Sequence, residues 1–197
     1  MVYMERLQNY QSDPMMLDAV NTILNECGID GVSSLEDQSN LDLVNAMKCL
    51  QDTSRLLLSK GFSFNTFVTT LLPDMDGFIR WPQNAYTIRA TDGTRIVNQG
   101  GYIVKPDDGF SAKFDGPFEI EGVFVLPFSS IPAPVFDYLV LRSAEVMNDR
   151  WISSDVVQVA IDKHIQEAWL NFRQWWIDDD NTSMMESSAV QAIAGRT

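Results

Sequence analysis

Apolar residues recur at helical spacing twice near the start of the chain. Leu17, Val20, Leu24 and Cys27 share one face of a first helix. Ser12-Asp13-Pro14 opens it, with Asp13 as cap and Pro14 in the first turn, and Gly28 stops it. A second helix opens at Ser39-Asn40, carries Leu43, Met47, Leu50, Leu57 and Leu58, and stops at Gly61. Directly after Gly61, in Phe62-Ser63-Phe64-Asn65-Thr66, the period shortens toward the alternation of a strand.

From about Phe62 to Phe128 the chain is rich in turn pairs: Pro73-Asp74, Asp76-Gly77, Asp92-Gly93, Gly100-Gly101, Asp108-Gly109 and Asp115-Gly116. Between them the pattern predicts strands at Thr66–Leu72, Tyr86–Ala90, Arg95–Asn98, Tyr102–Val104 and Phe118–Leu126. Asp92-Gly93, between two such runs, is the strongest hairpin signal, because both residues tolerate the positive φ of a primed turn. Helical spacing returns after Ile131-Pro-Ala-Pro134, with Val135, Tyr138, Leu139, Arg142 and Val146, and breaks near Asn148-Asp149. Ser153-Ser154-Asp155 opens a fourth helix whose stripe is Val157, Ile161, Ile165, Ala168, Phe172 and Trp175.

The order helix, helix, strands, helix, helix predicts an α+β fold: a four-helix bundle with an inserted antiparallel β-rich domain and an extended C-terminal tail. The expected boundaries are 1–61 plus 129–177 for the bundle, 62–128 for the insertion and 178–197 for the tail or arm. Two separate helical hairpins flanking a β domain are disfavoured, because each would expose its apolar stripe unless a partner covered it. The tail opens with three acids and has too few large apolar residues for a core of its own; the residues alone favour a frayed end, the alternative being an arm that docks Met184, Met185, Val190 and Ile193 on a neighbouring subunit. Phe62 and Phe64 read as packing residues that fix the hinge between bundle and insertion.

Charge narrows the function. The 197 residues carry 27 acids against 14 bases, a net charge of −13, and acids outnumber bases in every third of the chain. Tight nucleic-acid binding relies on clustered Lys and Arg, and no basic run occurs here. An acidic wall is compatible with DNA sliding past it, but charge alone strongly favours the plainer reading of solubility. Cys27 and Cys49 sit in helical patterns and suit buried apolar sites better than a disulfide framework or metal centre. No apolar run reaches the ~18 residues of a membrane span, and the opening Met-Val-Tyr-Met-Glu-Arg lacks a signal peptide's apolar core. A cytoplasm-like reducing compartment is therefore expected until assembly.

Catalytic chemistry finds little to use. His164 is the only histidine and has no ligand-spaced partner, so a surface or half-buried helix position is expected. Asp74-Met-Asp76-Gly77 places its Gly fourth, where a calcium loop needs it sixth, and reads as a turn. Nucleotide-loop and nucleophile-elbow motifs do not occur. A carboxylate pair for glycan hydrolysis would come from Asp107, Asp108, Asp115, Glu119 or Glu121, all better read as turn formers or solvated strand faces. No catalytic, cofactor or metal residue is assigned. The candidate interface anchors are Trp81, beside Pro82, the pair Trp175-Trp176, and Met184 and Met185. Trp169 and Trp175 are more simply packing residues by their spacing.

Ala19-Val-Asn-Thr-Ile-Leu24, the Gly turn, the second helix and Gly61-Phe-Ser-Phe-Asn-Thr66 together resemble the tail tubular protein A family of T7-like short-tailed phages. The likeness continues through Thr70-Leu-Leu-Pro-Asp74, Asn98-Gln-Gly-Gly-Tyr102, Ile131-Pro132, Tyr138, Arg142-Ser-Ala144 and Asn148-Asp-Arg150. It departs at Ile131-Pro-Ala-Pro134, where Leu-Pro or Met-Pro is usual, and in the tail. The resemblance implies a structural virion protein, assembled in the host cytoplasm, that forms an adaptor ring of about twelve subunits between portal and tail nozzle. That ring would form part of the DNA ejection channel, passing DNA without specific binding and without entering a membrane. Two alternatives stand beside it: a cell-envelope glycan hydrolase and a generic soluble protein-binding adaptor.

Overall fold

The protein, seen in a computed structural model, is described over residues 14–186, with backbone only at Pro14 and from residue 180 onward. Four helices and small antiparallel sheets make an α+β fold. It divides into a helical unit, formed by the chain up to Leu57 and again from Pro127, and a β-rich unit, Leu58–Leu126.

In the helical unit, α1 (Pro14–Glu26) ends in paired bonds, Gly28 N–H to Asn25 O at 2.9 Å and Ile29 N–H to Leu24 O at 2.9 Å. Gly28 there takes φ +72°, the left-handed cap its sequence position predicts. The expected capping residue Asp13 lies outside the described residues. α2 (Leu41–Leu58) opens on Asn40, whose Oδ1 accepts from the N–H groups of Asp42 and Leu43 at 3.0 and 3.2 Å. The loop between them is clamped to α1 by Asn21, which donates to Val32 O at 3.0 Å and accepts from Val32 N–H at 2.7 Å.

α3 (Ala133–Met147) starts on the Pro132 cap and packs against α1 and α4 (Asp155–Glu186). Between α3 and α4 the chain widens into one π-helical turn, Asn148–Ile152, ending on Ser153 at φ +53°. Asn148 holds this break together: its Nδ2 donates to Ser154 O and Gln158 Oε1, and its Oδ1 accepts from Ser154 N–H. Arg150 at the same turn pairs with Asp52 of α2 at 3.0 Å. The fourth stripe is as patterned, with Ile161, Ala168 and Phe172 buried. The helix itself outruns the expectation. It continues through the acids at 178–180 to Glu186, so the segment read as the start of an extended tail is helical to that point. Gln174 Nε2 donates to Asp178 Oδ1 at 3.0 Å, an i,i+4 bond that supports the added turn. Residues 187–197, including Val190 and Ile193, lie outside the described residues.

Cys27 and Cys49 are free and buried, and Cys27 Sγ donates to Ala144 O at 3.5 Å. Burial pushes the Cys27 thiol up to about 11, helped by Glu26, and the Cys49 thiol up to about 12. Both thiols are therefore expected to resist Ellman's reagent at pH 8 in the folded protein and to react fully in denaturant. Rapid reaction in native buffer would show that the helical unit opens readily.

In the β-rich unit, β1 (Thr66–Leu71), β5 (Phe118–Phe124) and β2 (Ala85–Ala90) form an antiparallel sheet with β5 central. β3 (Val97–Gln99) and β4 (Tyr102–Val104) form a separate hairpin. The turn at Asp92-Gly93 exists, with Gly93 at φ +80° and Asp92 Oδ1 accepting from Thr94 N–H at 2.8 Å, yet it does not make a hairpin. β2 pairs with β5, and the strand that follows joins β4 instead. The hairpin turn is Gly100-Gly101, where both φ values are positive, +63° and +84°, as a type I′ turn requires.

One sheet face buries Ile120 and Phe124, packed with Leu71, Ile88, Ile96 and Phe118. Gly122 lies on this face opposite Phe67, and the Phe67 and Phe124 rings stack at 4.3 Å. A Cβ at Gly122 would meet the Phe124 ring at 2.8 Å and Ile88 Cγ2 at 3.0 Å. Gly122→Ala is expected to destabilise the unit by about 1–3 kcal/mol through overpacking, measurable by urea unfolding; an unchanged midpoint would show that the stacked ring yields freely.

Candidate interaction surface

The largest aromatic assembly in the helical unit is built by α3 and α4. On α4 the spacing 169, 172, 175 and 176 places three tryptophans one turn from Phe172. Phe172, 1 % exposed, is the hub. Its ring lies 5.5 Å from Trp169, 6.3 Å from Trp175 and 5.9 Å from Trp176, while Tyr138 of α3 stacks on it at 5.3 Å. Tyr138 also meets Trp169 at 5.4 Å. Trp169 and Trp176 nonetheless leave 39 % and 44 % of their surface exposed. Rigid, partly exposed tryptophans seated on a buried base are the kind of anchor that dominates protein interfaces.

The structure thus brings together Trp175 and Trp176, and it adds Trp169 and Tyr138, whose outward edges their helical spacing did not distinguish from packing. Trp81 belongs to the other unit. It is half-buried against the cluster of Ile79, Ile103 and Phe114, and its backbone N–H donates to Gly101 O at 2.8 Å. Met184 and Met185 fall in the last turns of α4, and their side chains lie outside the described residues.

Beside this assembly, α1, α3 and α4 enclose a cleft of about 400 Å³ whose rim carries Asp18, Glu26, Asp137 and Glu167. His164 sits here, half-exposed on α4, with Nδ1 2.8 Å from Glu26 Oε2. Partial burial raises the Asp137 carboxyl above the ordinary range. The hydroxyl in this lining, Thr22 Oγ1, donates to Asp18 O at 3.0 Å, and no group of three or more metal-capable side chains occurs among the described residues. Three of the five acids considered for glycan hydrolysis have other partners. Glu121 pairs with Arg89, Glu119 accepts from Thr91 Oγ1 at 2.8 Å, and Asp108 lies 3.5 Å from Lys105.

Acidity is uneven between the units. Leu58–Leu126 holds eight acids and six bases, so eleven of the thirteen net negative charges belong to the remainder of the chain. No helix among the described residues is long and apolar enough to cross a membrane.

A protein-family model described as tail tubular protein matches residues 17–181. Among curated proteins no match is found.

Proposed function

The chain belongs to the tail tubular protein family and is a structural protein of a phage tail, and from that premise we propose that it is the adaptor ring joining the portal to the tail nozzle. The observation that carries the proposal is the extent of the match, residues 17–181, which takes in both units. In this reading the helical unit packs as a four-helix bundle, side by side with its copies in a ring of about twelve, and meets the portal. The β-rich unit faces the nozzle, and the ring forms part of the DNA ejection channel in the virion. Its role is to hold and conduct, with no reaction catalysed.

The aromatic surface supports docking to tail partners: exposed Trp176 and half-buried Trp175 on the Phe172 base, with Met184 and Met185 further along the helix and half-buried Trp81 in the second unit as further contacts. The concentration of negative charge outside the β-rich unit supports a channel wall that repels DNA and so lets it slide.

Co-sedimentation with a cognate portal tests the adaptor role. A stable complex is expected, and Trp176→Ala is expected to weaken it about tenfold or more, the loss of one interface anchor. Absence of any complex with the unaltered protein would contradict the proposal. Release of fragments from peptidoglycan, abolished by Glu121→Ala, would favour the hydrolase instead.

A further inference from the structure

α4 has apolar residues on two sides. Its inner stripe is buried, yet Val156, Val159, Leu170 and Ile177 stand on the opposite side, 83, 72, 61 and 46 % exposed. Lys163, Gln166 and Arg173 complete the run, so the steps from Val156 to Ile177 alternate between three and four residues. That spacing is the seam by which one helix packs along another. Lys163 and Arg173 form no ion pair among the described residues. Both bases therefore stand open to a partner's acids on the surface of a strongly acidic unit.

The complement is on the same unit. The cleft among α1, α3 and α4 presents Asp18, Asp137 and Glu167, none in an ion pair among the described residues; only Glu26 is engaged, by His164. At about 400 Å³ the cleft cannot take a helix, which is ~10 Å across, but it has room for basic side-chain ends projecting from one. Lys163 and Arg173 are ~15 Å apart along their helix, and the α1 wall from Asp18 to Glu26 rises ~12 Å, by the rise of 1.5 Å per residue. A base brought to Asp137 would also stabilise the carboxylate that partial burial now disfavours. Seam against seam opposes bases to bases, and cleft against cleft opposes acids to acids. Seam against cleft is the complementary pairing.

We propose that the outer seam of α4 docks on the acidic α1–α3–α4 cleft of a second copy of this chain. Because the two faces differ, the contact is heterologous and joins copies head to tail, the arrangement that makes a ring when the rotation between copies closes. The inference rests on the ring reading above and assigns its subunit contact.

Engineered cysteines test it, since Cys27 and Cys49 are buried and silent. The double variant Lys163→Cys, Asp137→Cys is expected to oxidise into a ladder of dimers, trimers and larger species, while each single variant does not extend beyond a dimer. Lys163→Glu with Arg173→Glu is expected to weaken self-association at low salt about tenfold, and adding Asp18→Lys with Asp137→Lys to restore most of it. A wild-type protein that assembles on the portal while the double variant gives no ladder, or while charge reversal changes nothing, overturns this contact alone. A wild-type protein that neither self-associates nor binds portal overturns the ring reading, and this inference with it.

Discussion

Asn65→Ala is expected to lower the unfolding free energy of the β-rich unit by about 3 kcal/mol, far more than an ordinary surface substitution. Asn65 is 1 % exposed, and its side chain makes three hydrogen bonds just before β1. Its Oδ1 accepts from Phe62 N–H at 2.7 Å, and its Nδ2 donates to Leu58 O at 2.9 Å and Phe124 O at 3.4 Å. One side chain thereby ties the last residue of α2, the turn after Gly61 and the end of β5. Alanine removes all three side-chain bonds from this buried junction, while Leu58 O keeps the 3.3 Å bond from Gly61 N–H. Asn65→Asp separates the contributions, because it keeps the acceptor but sets a carboxylate against two carbonyl oxygens. Its folded pKa would be raised, so its stability would be greatest in acid and lost as pH rises through that folded value. Hydrogen exchange of the β5 amides checks both variants. Unchanged protection in Asn65→Ala would show that water replaces the bonds at little cost.

Phe172→Ala is expected to cost the helical unit about 3–5 kcal/mol, the usual range for deleting a buried aromatic ring. Phe172 is the common neighbour of Tyr138, Trp169, Trp175 and Trp176, so its loss opens a cavity beneath the whole aromatic surface. Phe172→Leu, which refills much of that volume, is expected to cost less than half as much. Urea unfolding followed by tryptophan fluorescence reports it directly, since Trp151, Trp169, Trp175 and Trp176 all lie in this unit. A small loss in Phe172→Ala would mean that the exposed tryptophans collapse into the vacated space. In that case portal binding should fall further than stability does.

The helices were legible because their signals are local. Gly28 and Gly61 end helices at φ +72° and +82°, Asn40 and Pro132 cap them, and the buried stripe of α4 follows its spacing. Strand positions were also local, but strand partners were not. Asp92-Gly93 and Gly100-Gly101 both allow a primed turn, and only long-range pairing with β5 commits β2 away from its neighbour. The α4 overrun past Asp178 escaped the pattern because acids at a helix end weaken a helix without forbidding it.

Least legible were the asparagines. Asn21, Asn65 and Asn148 lie inside segments that carry the family resemblance, yet apolar periodicity assigns a polar residue no structural work. Each instead satisfies backbone groups where regular structure stops: a loop clamped to α1, the entry to β1, and the π turn before α4. The tryptophans proposed as anchors were half legible. Residue type marked Trp175 and Trp176, but only the packing on Phe172 shows which edges reach solvent.

The most direct test is a cryo-electron microscopy map of the protein bound to its portal. The expected result is a closed ring of copies seated on the portal, with α4 of each subunit against its neighbour and a channel lined mainly by Asp and Glu. A portal complex without a ring, or a channel dominated by Lys and Arg, would contradict it.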